Sequence, residues 1–362
     1  MDCCLKTTLD EADVELRTAS GAAGPAIVGS TVDRRTALKG LAGVAGGVAA
    51  MRSGLAYGQA KTLRLAFCGQ LLCVVPYEVT QARGRFEEEG LDVELVYTRG
   101  GNAAMQALVG GAVDYAGTSF DVALQAFANG AEIRRIASTG RLPLFALAVG
   151  PNAAGEISSL TDLENRTVGI SALGNADHTM LLYLLEEAGA DTSSIRFAAL
   201  GTNLYDALRV GHVDAAMVQE PALSLIVEAG GSVLFNAMEL ADAQKYLGGA
   251  YEFMGVSVRA EEREARQDQM ERLARALAKG LNDTRTIPVE EIIAALPNEL
   301  IAGGNQEQLR GILERYRKSL YPESVKIDVE AARRVAEAHH AAGLLEQPVD
   351  LETLLDLSVV EG

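Results

Sequence analysis

The sequence predicts an α/β protein of two similar lobes facing each other across a cleft, and three observations carry that expectation. A segment returns one hundred residues later: Gly101–Ala116 reads GNAAMQALVGGAVDYA and Gly201–Ala216 reads GTNLYDALRVGHVDAA. The identities fall at Gly101/Gly201, Ala107/Ala207, Leu108/Leu208, Gly111/Gly211, Val113/Val213, Asp114/Asp214 and Ala116/Ala216. That is the pattern of an amphipathic helix, a glycine stop and a Val-Asp lead into a short apolar strand. Strand and helix patterns alternate from Thr62 to Phe235, as a largely parallel sheet covered by helices requires. After Arg259 the pattern becomes almost wholly helical, so the chain is expected to cross back and complete the first lobe.

The elements follow in order. Leu63–Phe67 is a short apolar strand, Val75–Glu89 a helix stopped by Gly90, Asp92–Tyr97 an alternating strand and Asn102–Val109 the first repeat helix. Tyr115–Gly117 is a strand, Phe120–Asn129 a helix stopped by Gly130, and Ile133–Thr139 and Leu144–Val149 are strands. Beyond Pro151 come a strand at Thr167–Ile170, a helix at Asp177–Ala188 stopped by Gly189, a strand at Ile195–Ala198 and the second repeat helix, Asn203–Val210. Ala215–Val218 is a strand, Pro221–Glu228 a helix with Pro near its first turn, and Ser232–Phe235 and Phe253–Val258 are extended. This reading assigns residues 61–150 and 256–362 to the first lobe and 151–255 to the second, with crossings at Leu147–Pro151 and Met254–Val258.

Composition narrows the function. A net charge of −17 over 362 residues argues against nucleic acid or an anionic membrane surface as the main partner, since both attract clusters of Lys and Arg. It leaves an anionic ligand open, because helix N-termini bind anions locally. Residues 1–30 are small, polar and acidic without periodicity and read as a disordered leader. Arg34 and Arg35 with Leu38 and Lys39, the apolar run Gly40–Ala50 and Gly58-Gln59-Ala60 make a secretory signal that resembles a twin-arginine one. The mature chain is expected to begin near Lys61. Cys3 and Cys4 fall in the removed segment. Cys68 and Cys73 stand as either a bridge across a small loop or two buried free thiols. With His178, His212, His339 and His340 as the only histidines and no Cys/His cluster, neither a metal site nor a cofactor is expected.

In open α/β sheets, ligands bind beyond the carboxyl ends of the strands, where loops enter helix N-termini. That rule selects Gly69–Val75, Thr98–Asn102, Thr118–Asp121 and Ser171–His178, with Gln219–Pro221 facing them. These loops are rich in neutral donors, which suits a small polar solute held by hydrogen bonds and helix dipoles. Each candidate has a plainer alternative. Ser119 and Asn175 also suit helix caps, His178 sits where a histidine packs or caps, and Glu220 precedes Pro221 where it favours the helix dipole. Arg99 and Arg141 are the nearest charge partners for an anion; Asp114 and Asp214 serve the repeat's turn. No GxSxG, Walker loop or dinucleotide fingerprint occurs, and RGGN at Arg99–Asn102 lacks the required glycine spacing.

ARGRFEEEGLDVELV (Ala82–Val96), AMQALVGGAVDYAGTSFDVALQAFANG (Ala104–Gly130), VGISALGNADHTMLLYLLEEAG (Val168–Gly189) and DALRVGHVDAAMVQEP (Asp206–Pro221) resemble the periplasmic solute-binding proteins of ABC importers in the nitrate/sulfonate/taurine group. The resemblance implies a type II periplasmic-binding-protein fold, two Rossmann-like lobes joined by two hinge strands. It further implies a monomeric, non-catalytic periplasmic receptor that passes a small anionic solute to an ABC transporter permease with its ATPase. Ligand contacts are implied around Gly69 and Gln70, Thr118 and Ser119, Ser171 with the helix start after it, and Glu220. The loop Gly69–Val75 departs from the sulfonate pattern in holding Leu71, Leu72 and Cys73. The same superfamily includes binders of thiamine-precursor pyrimidines, which extends the expectation to amine-bearing solutes. It also includes enzymes that make the pyrimidine from an active-site histidine, and their cysteine-rich run is absent from this sequence.

Overall fold

A computed structural model of the chain describes residues 62–301 and 305–360. The twin-arginine signal, the leader, Cys3 and Cys4 lie outside the described residues. The first sheet takes β1 (Leu63–Cys68), β2 (Val93–Thr98), β3 (Tyr115–Ser119) and β4 (Ile133–Ser138). Between them run α1 (Leu71–Ala82), α2 (Arg85–Glu88), α3 (Gly101–Val109) and α4 (Phe120–Ala128). β5 (Ala146–Val149), β6 (Thr167–Ile170), β7 (Arg196–Ala199), β8 (Ala215–Val218) and β9 (Ser232–Asn236) form the second sheet, with α5 (Ala176–Glu187), α6 (Leu204–Val210) and α7 (Ala222–Glu228). After α8 (Leu240–Tyr246), β10 (Met254–Arg259) returns to the first sheet. The chain ends in α9 (Gln267–Thr286), α10 (Val289–Ala295), α11 (Asn298–Ile301), α12 (Gln306–Leu320), α13 (Val329–Ala341) and α14 (Leu351–Leu354).

The strand orders are β2-β1-β3-β10-β4 and β7-β6-β8-β5-β9. In each sheet one strand runs antiparallel beside the third: β10 against β3, with Met254 opposite Ser119, and β5 against β8, with Ala146 opposite Val218. The repeat has an atomic basis in this symmetry. Asp114 accepts the Arg64 amide on Oδ2 at 2.8 Å while its own amide donates to the Arg64 carbonyl at 2.9 Å. Asp214 does the same with Thr167, at 2.8 and 2.9 Å. Leu108 and Leu208 are fully buried, and Gly111 and Gly211 both end their helices with positive φ, 74° and 79°, where an L side chain is strained.

Three boundaries differ from the sequence expectation. Helix α1 begins at Leu71 instead of Val75, with Pro76 inside it, and the expected run to Glu89 is broken after Ala82, α2 starting at Arg85 beyond the left-handed Gly84. Pro76 has no N–H for the Leu72 carbonyl, and the Tyr321 hydroxyl donates to that carbonyl instead, at 2.8 Å. The fully buried AlaLeuAlaVal run of β5 belongs to the second sheet, so the chain changes sheets before residue 146 rather than at 150. The crossings are therefore Thr139–Phe145 and Ala237–Phe253, not Leu147–Pro151 and Met254–Val258. They run side by side: the Phe253 amide donates to the Gly140 carbonyl at 3.0 Å, and the Tyr251 amide to the Arg141 carbonyl at 3.0 Å. The last difference concerns residues 256–362, which are not confined to the first lobe. Helix α13 packs against both α4 and α5, and the side-chain Nδ2 of Asn236, in the second sheet, donates to the Tyr316 hydroxyl of α12 at 3.0 Å.

A buried arginine pins the return crossing. Arg135 on β4 is fully buried and donates to the carbonyls of Thr118 (3.0 Å), Gly255 (2.6 Å) and Phe253 (2.8 Å). Three carbonyl acceptors compensate part of the cost of placing a guanidinium there.

Candidate functional site

The two sheets present their strand ends to one cavity of about 590 Å³. Its walls come from the turn after β1 and the start of α1, the starts of α3 and α4, the loop from β6 into α5, the turn after β8, and both crossings. These are the loops the strand-end rule selects. Phe145 and Phe253, one from each crossing, meet edge to face with ring centres 5.7 Å apart and give the cavity an apolar surface.

Six of the eight sequence-selected residues line this cavity: Gly69, Gln70, Ser119, Ser171, Asn175 and Glu220. A Cβ at Gly69 would stand 3.2 Å from the Thr98 carbonyl oxygen, a tight contact with backbone. Ser119 lines the cavity and caps α4, its Oγ accepting the Val122 amide at 3.3 Å. Asn175 donates to Ser171 Oγ at 2.9 Å and accepts a hydrogen bond from Asn102 of α3, which joins the two lobes across the mouth.

Thr118 and His178 do not reach the cavity. Thr118 is fully buried in β3, and its carbonyl serves Arg135. His178 packs its ring edge-on against Phe197, and its Nδ1 accepts the Gly174 amide at 3.1 Å. Burial holds its imidazole below the ordinary value, so it is a neutral packing residue. Arg141 is also diverted: its guanidinium donates to the carbonyls of Ser319 and Lys318, both at 2.8 Å, at the end of α12.

The residue that sequence reasoning missed is Asp177. It lies in the first turn of α5, where an acidic residue reads as a dipole partner, yet it lines the cavity and is only 6% exposed. Ser171 gives it both an amide and a hydroxyl hydrogen, each at 2.6 Å. Glu220, also 6% exposed, accepts the Ser224 amide at 3.1 Å and hydroxyl at 3.0 Å. Burial pushes both carboxyls above their usual range, and the hydrogen bonds they accept pull the other way. Among the described residues lining the cavity, Arg99 at the exposed rim is the one cation.

The family model described as NMT1/THI5 like matches residues 74–291, well over half of the chain. A comparison with curated protein sequences returns no match. Solved structures share the fold. A Bordetella bronchiseptica RB50 protein superposes with a TM-score of 0.73 at 22% identity, over 83% of this chain and 96% of that one. The periplasmic aliphatic sulphonate binding protein SsuA of Escherichia coli gives 0.64 at 18% identity, over 84% and 100%. The periplasmic nitrate-binding protein NrtA of Synechocystis PCC 6803 gives 0.65 at 13% identity, over 83% and 87%. With a family model spanning most of both sheets and a shared two-lobed fold, the chain belongs to the NMT1/THI5-like family.

Proposed function

We propose that this protein is an exported receptor of an ABC import system that closes on a small solute bearing an amine or an amino-substituted heteroaromatic ring, and delivers it to the permease. The observation that carries the solute class is the pair of buried carboxylates, Asp177 and Glu220, on the second-lobe wall of the cavity. Hydrogen-bond acceptors with negative charge attract ligand N–H groups and repel anions. The Phe145 and Phe253 rings suit a flat heterocycle. Arg34 and Arg35 support export, and the two crossing segments are where closure would bend the chain. A binding role is supported by the structural relatives, which include binding proteins for sulphonate and nitrate.

The anionic solute implied by the resemblance is the second reading. Arg99 is the observation on its side, together with the sulphonate and nitrate ligands named for two structural relatives. A thermal-shift screen separates the two, using aminopyrimidines and small amines against taurine, alkanesulfonates and nitrate. A true ligand at 100 times its Kd adds about 2.7 kcal/mol to the native state. Stabilisation by aminopyrimidines or amines is expected, and stabilisation by sulfonates or nitrate alone would overturn the amine reading.

A further inference from the structure

Two sulfur atoms share the wall of the cavity. Cys68 ends β1 and Cys73 lies in the first turn of α1, and both line the cavity as free thiols. The two side chains hydrogen-bond to each other. Between them the chain makes one tight turn, Gly69–Leu72, held by the Cys73 amide donating to the Gln70 carbonyl at 2.9 Å. At 7% and 4% exposure, neither thiol is open to a bulky reagent on the outer surface.

The surroundings divide the labour between the two thiols. The hydrogen bond from Cys73 holds the Cys68 thiol below its ordinary value against the opposing effect of burial, and the Gln70 backbone adds to it. The Cys73 thiol is pushed well above its ordinary value, first by that same bond and then by burial. A more acidic thiol at a strand end beside a less acidic one in the first turn of the next helix is the arrangement of a nucleophilic and a resolving cysteine.

The geometry points to a redox-active dithiol, Cys68 with Cys73, that closes to a disulfide when a small hydroperoxide enters the cavity. Cys68 thiolate attacks the distal peroxide oxygen, the O–O bond breaks, and the leaving oxygen departs as water after taking a proton. Cys68 is then a sulfenic acid. Cys73 sulfur attacks the Cys68 sulfur, the S–O bond breaks, and the hydroxide leaves as a second water with the Cys73 proton. The two thiols lose two electrons and two protons, and one hydrogen peroxide becomes two waters. This assignment is independent of which solute the cavity takes.

The test treats the full chain with hydrogen peroxide and maps thiols by differential alkylation and peptide mass spectrometry, which counts Cys3 and Cys4 separately. A Cys68–Cys73 link is expected in the wild type. In Cys73→Ser the reaction stops at a Cys68 sulfenic acid that dimedone traps, and in Cys68→Ser the Cys73 thiol persists at least about tenfold longer than in the wild type. The wild-type arm needs no variant to fold. Cys68 and Cys73 surviving as thiols while Cys3 and Cys4 oxidise would overturn the proposal, and so would oxidation of both to sulfinic acids without a link.

Discussion

Ser171 spends its hydroxyl hydrogen on Asp177, 2.6 Å away, and its amide hydrogen on the other oxygen of the same carboxylate. The hydroxyl therefore positions an acceptor and is not itself a free donor to the solute. Replacing Ser171 by Ala removes a hydrogen bond to a charged group and is expected to cost roughly 1.5–3 kcal/mol of stability by chemical denaturation. Amine solutes should still bind, while Asp177→Asn should weaken them about ten- to hundredfold. Unchanged stability with abolished binding in Ser171→Ala would mean that the hydroxyl serves the solute directly.

Glu220 separates the two solute classes. Its Gln variant keeps the shape and one acceptor oxygen but removes the charge. Calorimetric titration is expected to show amine affinity falling about ten- to hundredfold, the loss of one charge-assisted hydrogen bond. Tighter anion binding in the variant, with no effect on amines, would return the cavity to the anionic reading.

The return crossing carries a pH dependence. Burial pushes the Glu252 carboxyl from 4.5 up to about 7, while neighbouring Arg135 opposes the rise. The folded state then binds more protons than the unfolded chain between those values, so stability falls as pH rises from 4.5 to about 7 and levels off above. At 1.36 kcal/mol per unit the whole change is roughly 3 kcal/mol. In Glu252→Gln urea unfolding curves should show a shallower slope over this window, the raised Asp177 and Glu220 carboxyls keeping the remainder. An unaltered slope would place the titration elsewhere.

Gly280 decides how closely two helices approach. A Cβ there would lie 2.7 Å from Thr80 Cβ and 3.1 Å from its Cα, neither of which is a flexible chain end. Ala gains about 1 kcal/mol of helix propensity over Gly, but overpacking α9 against α1 costs about 1–3 kcal/mol. A net loss in melting temperature is expected from Gly280→Ala, and a gain would show that the helices can separate freely.

Much of this architecture is legible in the chain because local pattern and burial coincide. The repeat identities each have a one-residue cause: a buried leucine, a left-handed glycine, an aspartate bonded to the neighbouring strand. Loops rich in Ser, Asn and Gly at strand ends mark the cavity for the same reason, since helix starts need caps and ligands need donors.

Other features depend on partners far away in sequence. Pro76 sits inside α1 because Tyr321, 249 residues beyond Leu72, supplies the donor that the Leu72 carbonyl lacks. Arg141 reads as an anion partner until the end of α12 claims its guanidinium, and His178 until Phe197 covers its ring. The four-residue β5 could join either sheet by composition, and its pairing with β8 and β9 settles which. The sequence by itself determined the two α/β lobes and the loops that face each other, because periodicity and turn chemistry act within a few residues. Only the tertiary structure decided which polar groups were already spent on one another and which, Asp177 and Glu220 above all, still face the cavity, because hydrogen-bond satisfaction is a property of the packed chain.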